Sequence, residues 1–251
     1  MKLASLILLP ITMWAGVACG QGKYDTAGPD TVNSPSIEVD SLRVAEFPID
    51  SLPASDAKTR YSHLTEEDFK IVADELGVEV AAIKAVVEIE AGKQMRGFYA
   101  PGVPVVNFDR AMYRRHASKA QVRTGNKNAK VPSGLSGYAL REWTQLTNAR
   151  RVNEQGANMG TFWGMFQIGG FNYKMCGCKN VNEFVDIMSE SEFSQLELFA
   201  KFITNSGMLG DLKAKNWAGF ARKYNGASYA RRGYHTRMAA AYNKFKKKSK
   251  L

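Results

Sequence analysis

The sequence predicts a mainly α-helical domain that contains one small β-hairpin. Two observations lead to this prediction. From Tyr61 onward, segments with apolar residues at helical spacing alternate with breaks at Gly, Pro and Asn. One segment differs, because residues 97–110, GFYAPGVPVVNFDR, place Gly and Pro on either side of the β-prone run VPVVNF.

The first two helices have recognisable ends. In HLTEEDFKIVADELG, residues 63–77, Thr65 is the predicted N-cap, acidic residues fill the first turn and Gly77 ends the helix. The next helix is VEVAAIKAVVEIEAG, which Gly92 ends. Residues 118–135 have a loop-like composition. Further helices are predicted around residues 137–150, 159–168, 181–190, 192–205, 216–224 and 235–247.

The N-terminus is typical of an exported protein. Lys2 is followed by the apolar run LASLILLPITMWAGVA, which predicts a signal peptide over residues 1–20. Cys19, in GVACGQ, predicts a lipoprotein with a lipid on this thiol, although a lipobox usually has Leu where this chain has Gly16. Cleavage after Gly20 is the alternative. Either route places the protein on the periplasmic face of a membrane or outside the cell, which argues against a nucleic-acid partner.

Charge divides the chain into a tail and a domain. The formal net charge is +10. Residues 21–60 are rich in Asp, Ser, Pro and Thr, have a net charge of −3 and are predicted to be a flexible tether. Residues 61–251, the predicted folded domain, contain 29 basic and 17 acidic residues and therefore have a net charge of +12. Such a domain, expected to be a monomer, suits an anionic partner such as a cell-wall polymer or a membrane surface.

The remaining cysteines predict neither a metal centre nor a catalytic thiol. Cys176 and Cys178 form a C-x-C pair, which is too closely spaced for an easy disulfide. No cluster of histidines accompanies them, so a zinc site is not expected. We interpret both as buried structural cysteines, and we expect no cofactor.

Two carboxylates lie in the apolar run AVVEIEAG, residues 85–92. At 100° per residue, Glu88 and Glu90 are about 200° apart around a helix and face different environments. Glu88 lies at i+4 from Lys84, where a surface ion pair would satisfy it. Glu90 lies on the apolar stripe at the helix C-terminus, where burial would raise its carboxyl pKa. A carboxyl group that keeps its proton near neutral pH is what a general acid requires.

Two further segments have the composition of a sugar-binding cleft. FWGMFQIGGFNY, residues 162–173, combines glycines, aromatic rings and Gln167, although an aromatic core helix would look similar. FARKYNGASYARRGYHTRMAAAY, residues 220–242, contains the break Tyr224-Asn225-Gly226, which could equally be an ordinary helix C-cap.

Taken together and in this order, these motifs resemble the N-acetylmuramidase family of the lysozyme-like superfamily, which includes phage endolysins. The resemblance covers residues 64–245 and also includes VNFDRAMYRR and KMCG. It implies an α+β lysozyme-like fold with the hairpin flanking the cleft, Glu90 as general acid, and peptidoglycan glycan strands as substrate, cut at the β-1,4 bond between N-acetylmuramic acid and N-acetylglucosamine. The implied substrate-binding residues are Gln167, Tyr224, Asn225, Met165, Phe166, Tyr173, Asp109 and His235.

The chain departs from the family pattern at two positions. Ala91 stands where the family usually has Ser, and Asp109 stands where it usually has Glu. Asp109 is a candidate second carboxylate, but a salt bridge to Arg110, Arg114 or Arg115 is the favoured interpretation. Relatives often use one Glu together with the acetamido group of the substrate. A lytic transglycosylase, a non-catalytic peptidoglycan-binding lipoprotein and a toxin-type effector remain as alternatives.

Overall fold

The computed structural model describes residues 63–91, 96–118 and 124–248. The predicted signal peptide, the lipidation site at Cys19 and the predicted tether lie outside these residues. No helix of the described ranges is long and apolar enough to cross a membrane.

The described residues form a mainly helical fold with two small antiparallel sheets, which confirms the predicted fold class. The helices are α1 (Glu66–Leu76), α2 (Val80–Glu90), α3 (Arg110–Ala117), α4 (Gly137–Val152), α5 (Glu154–Met159), α6 (Val181–Met188), α7 (Glu192–Asn205), α8 (Leu209–Lys213), α9 (Trp217–Asn225) and α10 (Tyr234–Lys248). The strands are β1 (Phe98–Ala100), β2 (Val103–Pro104), β3 (Val106–Phe108), β4 (Thr161–Trp163) and β5 (Ile168–Gly169).

Helix α1 has the predicted caps. The Thr65 hydroxyl accepts a hydrogen bond from the Asp68 backbone N–H, and the Asp68 carboxylate accepts one from the Thr65 N–H. Gly77 closes the helix in the left-handed conformation, at φ 61°. Helix α2 ends at Glu90 with Ala91 as its C-cap, and Gly92 lies outside the described residues.

The predicted hairpin is present, since β1 pairs antiparallel with β2. The next strand does not extend it. β3 pairs instead with β4, with Asn107 opposite Phe162, and β4 pairs with β5. This second sheet shows that the helix predicted over residues 159–168 is wrong. Gly164 and Gln167 adopt positive φ angles of 69° and 49°, which a right-handed helix does not permit.

The other predicted helices lie within two residues of their predicted bounds. The described part of the predicted loop, residues 124–135, contains no helix or strand. Three short helices, α3, α5 and α8, were not predicted. They have five to eight residues each, too few turns for an apolar periodicity to be recognised in the sequence.

Helix α2 lies at the centre of the fold and packs against α1 and α10. Its buried side chains include Ile83, Val86 and Val87, each fully inaccessible to solvent. A second buried layer, from α7 and the segment after β4, is aromatic, with the Phe166 ring stacked on Phe199 at 4.2 Å. Helix α10 packs against both α2 and α9, and the end of α2 contacts α9 through the hydrogen bond between Glu90 and Asn225.

The two described cysteines are free and buried, as predicted. Burial raises the pKa of the Cys176 thiol well above its usual value and that of Cys178 to about 11. Neither is therefore a reactive thiolate at neutral pH.

Candidate active site

Glu90 is a buried carboxyl group at the C-terminal end of α2, with only 4% of its surface exposed. Its Oε1 accepts a hydrogen bond from Asn225 Nδ2 at 3.1 Å. Desolvation raises the pKa of Glu90 to about 7, although the Asn225 bond and the charge of Arg237 both act to lower it. Near neutral pH this carboxyl group is therefore protonated in a large fraction of molecules.

Glu88, two residues earlier, is in a different environment, as the helix geometry predicts. Its carboxylate forms an ion pair with Lys244 of α10. The predicted partner, Lys84, is wrong, because Lys84 pairs with Glu66 and lies over the rings of Phe69 and Phe245. Glu88 is thus half-buried, and its ion pair with Lys244 joins α2 to α10.

Asn225 is the last residue of α9 and lies half-buried beside Glu90. The following Gly226 has φ 74°, so the chain turns away immediately after the amide. Asn225 Oδ1 is buried and has no hydrogen-bond partner among the described residues. An unpaired buried acceptor beside a protonatable acid is a position where a substrate hydroxyl, an amide N–H or a water molecule would be bound.

Tyr224 is buried, with only 1% of its surface exposed. Its hydroxyl donates a 2.7 Å hydrogen bond to the Phe166 carbonyl, and its ring stacks on Phe220. Tyr224 thus links the end of α9 to the turn between β4 and β5, and its contact with substrate stays a prediction.

That turn, Gly164–Gln167, brings one polar side chain to the surface of the fold. Met165 and Phe166 are part of the core, with 2% and 1% of their surfaces exposed, and their contact with substrate stays a prediction. Gln167 is half-buried in a left-handed conformation, and its Nε2 donates to the Gly164 carbonyl at 2.8 Å. Of these three predicted residues, Gln167 has the most exposed side chain.

Gln195 of α7 is a site-building residue that the sequence analysis missed. Its side chain is completely buried. Oε1 accepts from the Met165 backbone N–H at 2.7 Å, and Nε2 donates to the carbonyls of Met188 at 2.8 Å and Gly97 at 3.2 Å. One side chain thus holds together the β4–β5 turn, the end of α6 and the residue before β1.

Glu192, one helical turn before Gln195, makes a second buried connection to the same segment. Its Oε1 accepts from the Gly97 N–H at 2.8 Å, and its Oε2 accepts from the Leu64 N–H at 3.2 Å. The available sequence signal was a pair of polar residues, at i and i+3, on the apolar face of α7.

Asp109 forms no salt bridge with Arg110, Arg114 or Arg115 among the described residues, so that prediction is wrong. Its carboxylate is the N-cap of α3 and accepts from the backbone N–H groups of Ala111 and Met112. Both hydrogen bonds are accepted by Oδ1, and the role of Asp109 as a second catalytic carboxylate stays a prediction.

The last two predicted substrate contacts, Tyr173 and His235, are both half-buried. Tyr173 follows a short 3₁₀ helix, Gly170–Asn172. The His235 ring lies edge-on to Tyr229 at 5.4 Å, and its Nδ1 is buried with no partner among the described residues. His235 belongs to the first turn of α10, and Tyr229 to the segment that follows Asn225.

The arrangement as a whole can deliver one proton from a buried carboxyl group to a ligand held by amide side chains. The structure brings Glu90 and Asn225 into contact and links them, through Tyr224, to the turn that bears Gln167. The described residues contain no group of three or more metal-ligating side chains.

Comparison with known proteins gives two positive results. A sequence profile of the N-acetylmuramidase family matches residues 79–246. The crystal structure of a Burkholderia AP3 phage endolysin is similar, with a TM-score of 0.63 and 34% sequence identity, over 74% of this chain and 72% of that chain. A search of curated proteins finds no significant match.

Proposed function

Because the chain belongs to the N-acetylmuramidase family of lysozyme-type glycoside hydrolases, we propose that it cleaves the β-1,4 bond between N-acetylmuramic acid and N-acetylglucosamine in peptidoglycan. Glu90 is the general acid in this proposal. The observation that carries the proposal is the burial of Glu90, because desolvation raises its carboxyl pKa to about 7. Asn225 lies in contact with this carboxyl group.

The proposed reaction begins with proton transfer from the Glu90 carboxyl group to the glycosidic oxygen. The C–O bond breaks, the N-acetylglucosamine unit leaves with that proton as a hydroxyl group, and positive charge develops at the muramyl anomeric carbon. Water adds to this carbon and returns its proton to the Glu90 carboxylate. Asn225 holds the Glu90 carboxyl group in place, and its buried Oδ1 supplies a hydrogen-bond acceptor beside the reacting groups.

The site supports a mechanism that uses one protein carboxyl group. Glu88 is paired with Lys244 and Asp109 caps α3, so each of these carboxylates has a structural role in the described fold. The acetamido group of the muramyl unit can supply the second function by stabilising the anomeric carbon.

The same observation also favours a second candidate, a lytic transglycosylase. In that reaction the muramyl 6-hydroxyl group, rather than water, attacks the anomeric carbon and leaves a 1,6-anhydro end. A single general acid serves both reactions, and the two differ only in the nucleophile that reaches one carbon.

The direct test of the acid uses two matched substitutions, Glu90→Gln and Glu88→Gln, on purified peptidoglycan. Loss of one helix carboxylate is common to both variants. We expect Glu90→Gln to lower kcat by about 100-fold or more, since it removes the proton donor, and Glu88→Gln to retain most activity. Full turnover by Glu90→Gln would refute its role as the acid.

We also propose that the protein is exported and anchored through a lipid on Cys19, a proposal that rests on the sequence of residues 1–20. Metabolic labelling with a radioactive or clickable fatty acid tests it. Label should enter the wild-type protein and be absent from Cys19→Ser. Equal labelling of both would contradict lipidation at this thiol, and no labelling of either would favour cleavage after Gly20.

A further inference from the structure

A large aromatic side chain is exposed at the start of α4. Tyr138 lies in the first turn of this helix, and 47% of its surface is exposed. The guanidinium carbon of Arg141 lies over the Tyr138 ring, 5.0 Å from the ring centroid, and its Nε contacts Glu142 at 3.4 Å. One turn of α4 thus presents an aromatic ring and a guanidinium group together, and the reaction proposed for Glu90 uses neither.

The exposed part of Tyr138 is mainly its ring, because its hydroxyl group is turned toward the fold. The pKa of this hydroxyl is raised, first by desolvation and then by the charge of Glu142. Glu142 is buried and accepts a hydrogen bond from the Phe108 N–H at 2.9 Å. Since the hydroxyl end is desolvated and nearly half of the residue is exposed, the exposed surface belongs largely to the ring.

A second tyrosine, Tyr99 of β1, lies at the same place. It is half-buried, and the pKa of its hydroxyl is raised by desolvation and by the nearby Tyr138 and Glu142. Tyr99 therefore brings the β1–β2 hairpin against the start of α4. We call Tyr99, Tyr138 and Arg141 the aromatic platform.

The aromatic platform is connected to the turn that bears Gln167. Tyr99 follows Gly97 by two residues, which is about 7 Å of extended chain. The Gly97 carbonyl accepts from the Val105 N–H at 2.9 Å, and the Val105 carbonyl accepts from the Gly164 N–H at 2.8 Å. Because Gly164 begins the turn, a short piece of chain and two backbone hydrogen bonds join the platform to it.

We propose that the aromatic platform binds a sugar ring of the glycan strand at a position beyond the bond that is cut. This inference rests on the proposed function and adds a binding position for its polymeric substrate. The exposed tyrosine ring offers a flat apolar face to the C–H groups of a pyranose, and the guanidinium group offers N–H donors to its hydroxyl or acetamido oxygens. The connection to the active-site turn allows one glycan strand to contact both places.

The experiment uses peptide-free oligosaccharides of alternating N-acetylglucosamine and N-acetylmuramic acid, one a tetrasaccharide and the other an octasaccharide. The quantity measured is the ratio of kcat/KM on the octasaccharide to kcat/KM on the tetrasaccharide. Tyr138→Ala should lower this ratio about tenfold, because the longer chain loses its contact with the ring. Tyr138→Phe keeps the ring and should retain most of the wild-type ratio.

The matched control is Leu140→Ala, which removes another exposed apolar side chain from the first turn of α4. Leu140 has 42% of its surface exposed and lies about 200° from Tyr138 around the helix, on a different face. This variant should keep the wild-type ratio. The melting temperatures of the two alanine variants show whether each is folded.

A binding measurement separates the platform from the proposed function. Isothermal titration calorimetry of the octasaccharide compares Glu90→Gln with the double variant Glu90→Gln/Tyr138→Ala, and we expect about tenfold weaker binding by the double variant. If the wild-type protein cleaved neither oligosaccharide, the proposed function would fail, and this comparison of affinities would still decide on the platform.

Three results would overturn the proposal. Tyr138→Ala could keep the wild-type ratio of kcat/KM values, Leu140→Ala could lower that ratio as much as Tyr138→Ala does, or the two proteins in the calorimetric comparison could bind the octasaccharide equally.

Discussion

At the scale of single residues, the central feature is the buried Glu90 carboxyl group. Burial disfavours its charged form, so its ionisation destabilises the folded state. Its pKa is about 7 in the folded chain, against 4.5 for an ordinary Glu. A group that binds its proton more tightly when folded makes the free energy of unfolding fall as pH rises between these two values. The difference corresponds to about 3 kcal/mol above pH 7.

The first prediction follows from this linkage. Glu90→Gln should raise the free energy of unfolding by about 1 to 3 kcal/mol at pH 8 and change it little at pH 4, where the carboxyl group is mostly neutral in both states. Urea unfolding at the two pH values measures this. Glu88→Gln is the control and should be slightly less stable than wild type at pH 8, because it loses the ion pair with Lys244. If Glu90→Gln were no more stable than the wild-type protein at pH 8, burial of the charged Glu90 carboxylate would be contradicted.

The second prediction concerns Arg237, whose charge lowers the pKa of Glu90. Arg237→Gln should raise that pKa and so extend activity to more alkaline pH, since the protonated acid then persists longer. The alkaline limb of a plot of kcat/KM against pH reports the shift. Arg222→Gln, an exposed change on α9, should leave the limb where it is. If the alkaline limb of Arg237→Gln moved toward lower pH, the Arg237 charge would not be what lowers the pKa of Glu90.

The sequence predicted the two glutamates well because their contrast depends only on helix geometry. The full burial of Glu90 and the partial burial of Glu88 follow from a 200° separation about one helix axis. The partners could not be predicted in the same way. Lys244 lies 156 residues from Glu88, and Asn225 lies 135 residues from Glu90, so both contacts depend on tertiary packing.

At the scale of elements, the β4–β5 hairpin shows where pattern analysis failed. Its residues are apolar on both faces because every side chain of β4 is buried, and a buried strand cannot be distinguished from a buried helix by periodicity. The decisive interactions come from elsewhere in the chain. Gln195 binds the Met165 N–H, and Tyr224 binds the Phe166 carbonyl, so the turn is held from both sides.

The third prediction tests this connection. Gln195→Met keeps the side-chain length but leaves the Met165 N–H and the Met188 carbonyl without partners, so the free energy of unfolding should fall by about 2 to 4 kcal/mol. A Cβ at Gly164 would lie only 2.7 Å from Gln195 Oε1, which shows how closely the turn depends on this amide. Chemical denaturation measures the change.

The matched control for Gln195 is Gln145→Met on α4. Gln145 is half-buried, and the hydrogen bond that it accepts from Arg110 is exposed. We expect a change below about 1 kcal/mol. If the two variants were equally stable, Gln195 would not be the residue that holds the turn.

At the scale of the whole molecule, the sequence predicted a helical domain with a hairpin because the long helices have strong periodicity and clear caps. The second sheet was missed because β3 pairs with β4, more than fifty residues away along the chain. Three of the predicted cleft residues, Met165, Phe166 and Tyr224, are in the core for a related reason. Their types suit a sugar-binding surface and a hydrophobic core equally well, and only the packing decides.

The fourth prediction concerns the boundary of the domain. The Leu64 N–H binds the buried Glu192 carboxylate, so the fold involves the chain from about that point. A protein of residues 61–251 should therefore have the same activity on purified peptidoglycan as residues 21–251, within about twofold. A shorter protein, residues 66–251, loses this hydrogen bond and the α1 N-cap at Thr65 and should be less stable by about 1 to 3 kcal/mol. Loss of activity in residues 61–251 would show that the preceding segment is part of the catalytic unit.

The central claim is that Glu90 donates the proton in hydrolysis of the muramyl bond. Mass spectrometry of the soluble products from purified peptidoglycan tests it most directly, with residues 21–251 as the enzyme and Glu90→Gln beside it. We expect products with reducing N-acetylmuramic acid ends from the wild-type protein and none from the variant. Anhydro ends would keep the site and contradict hydrolysis, and equal product from both proteins would contradict the role of Glu90.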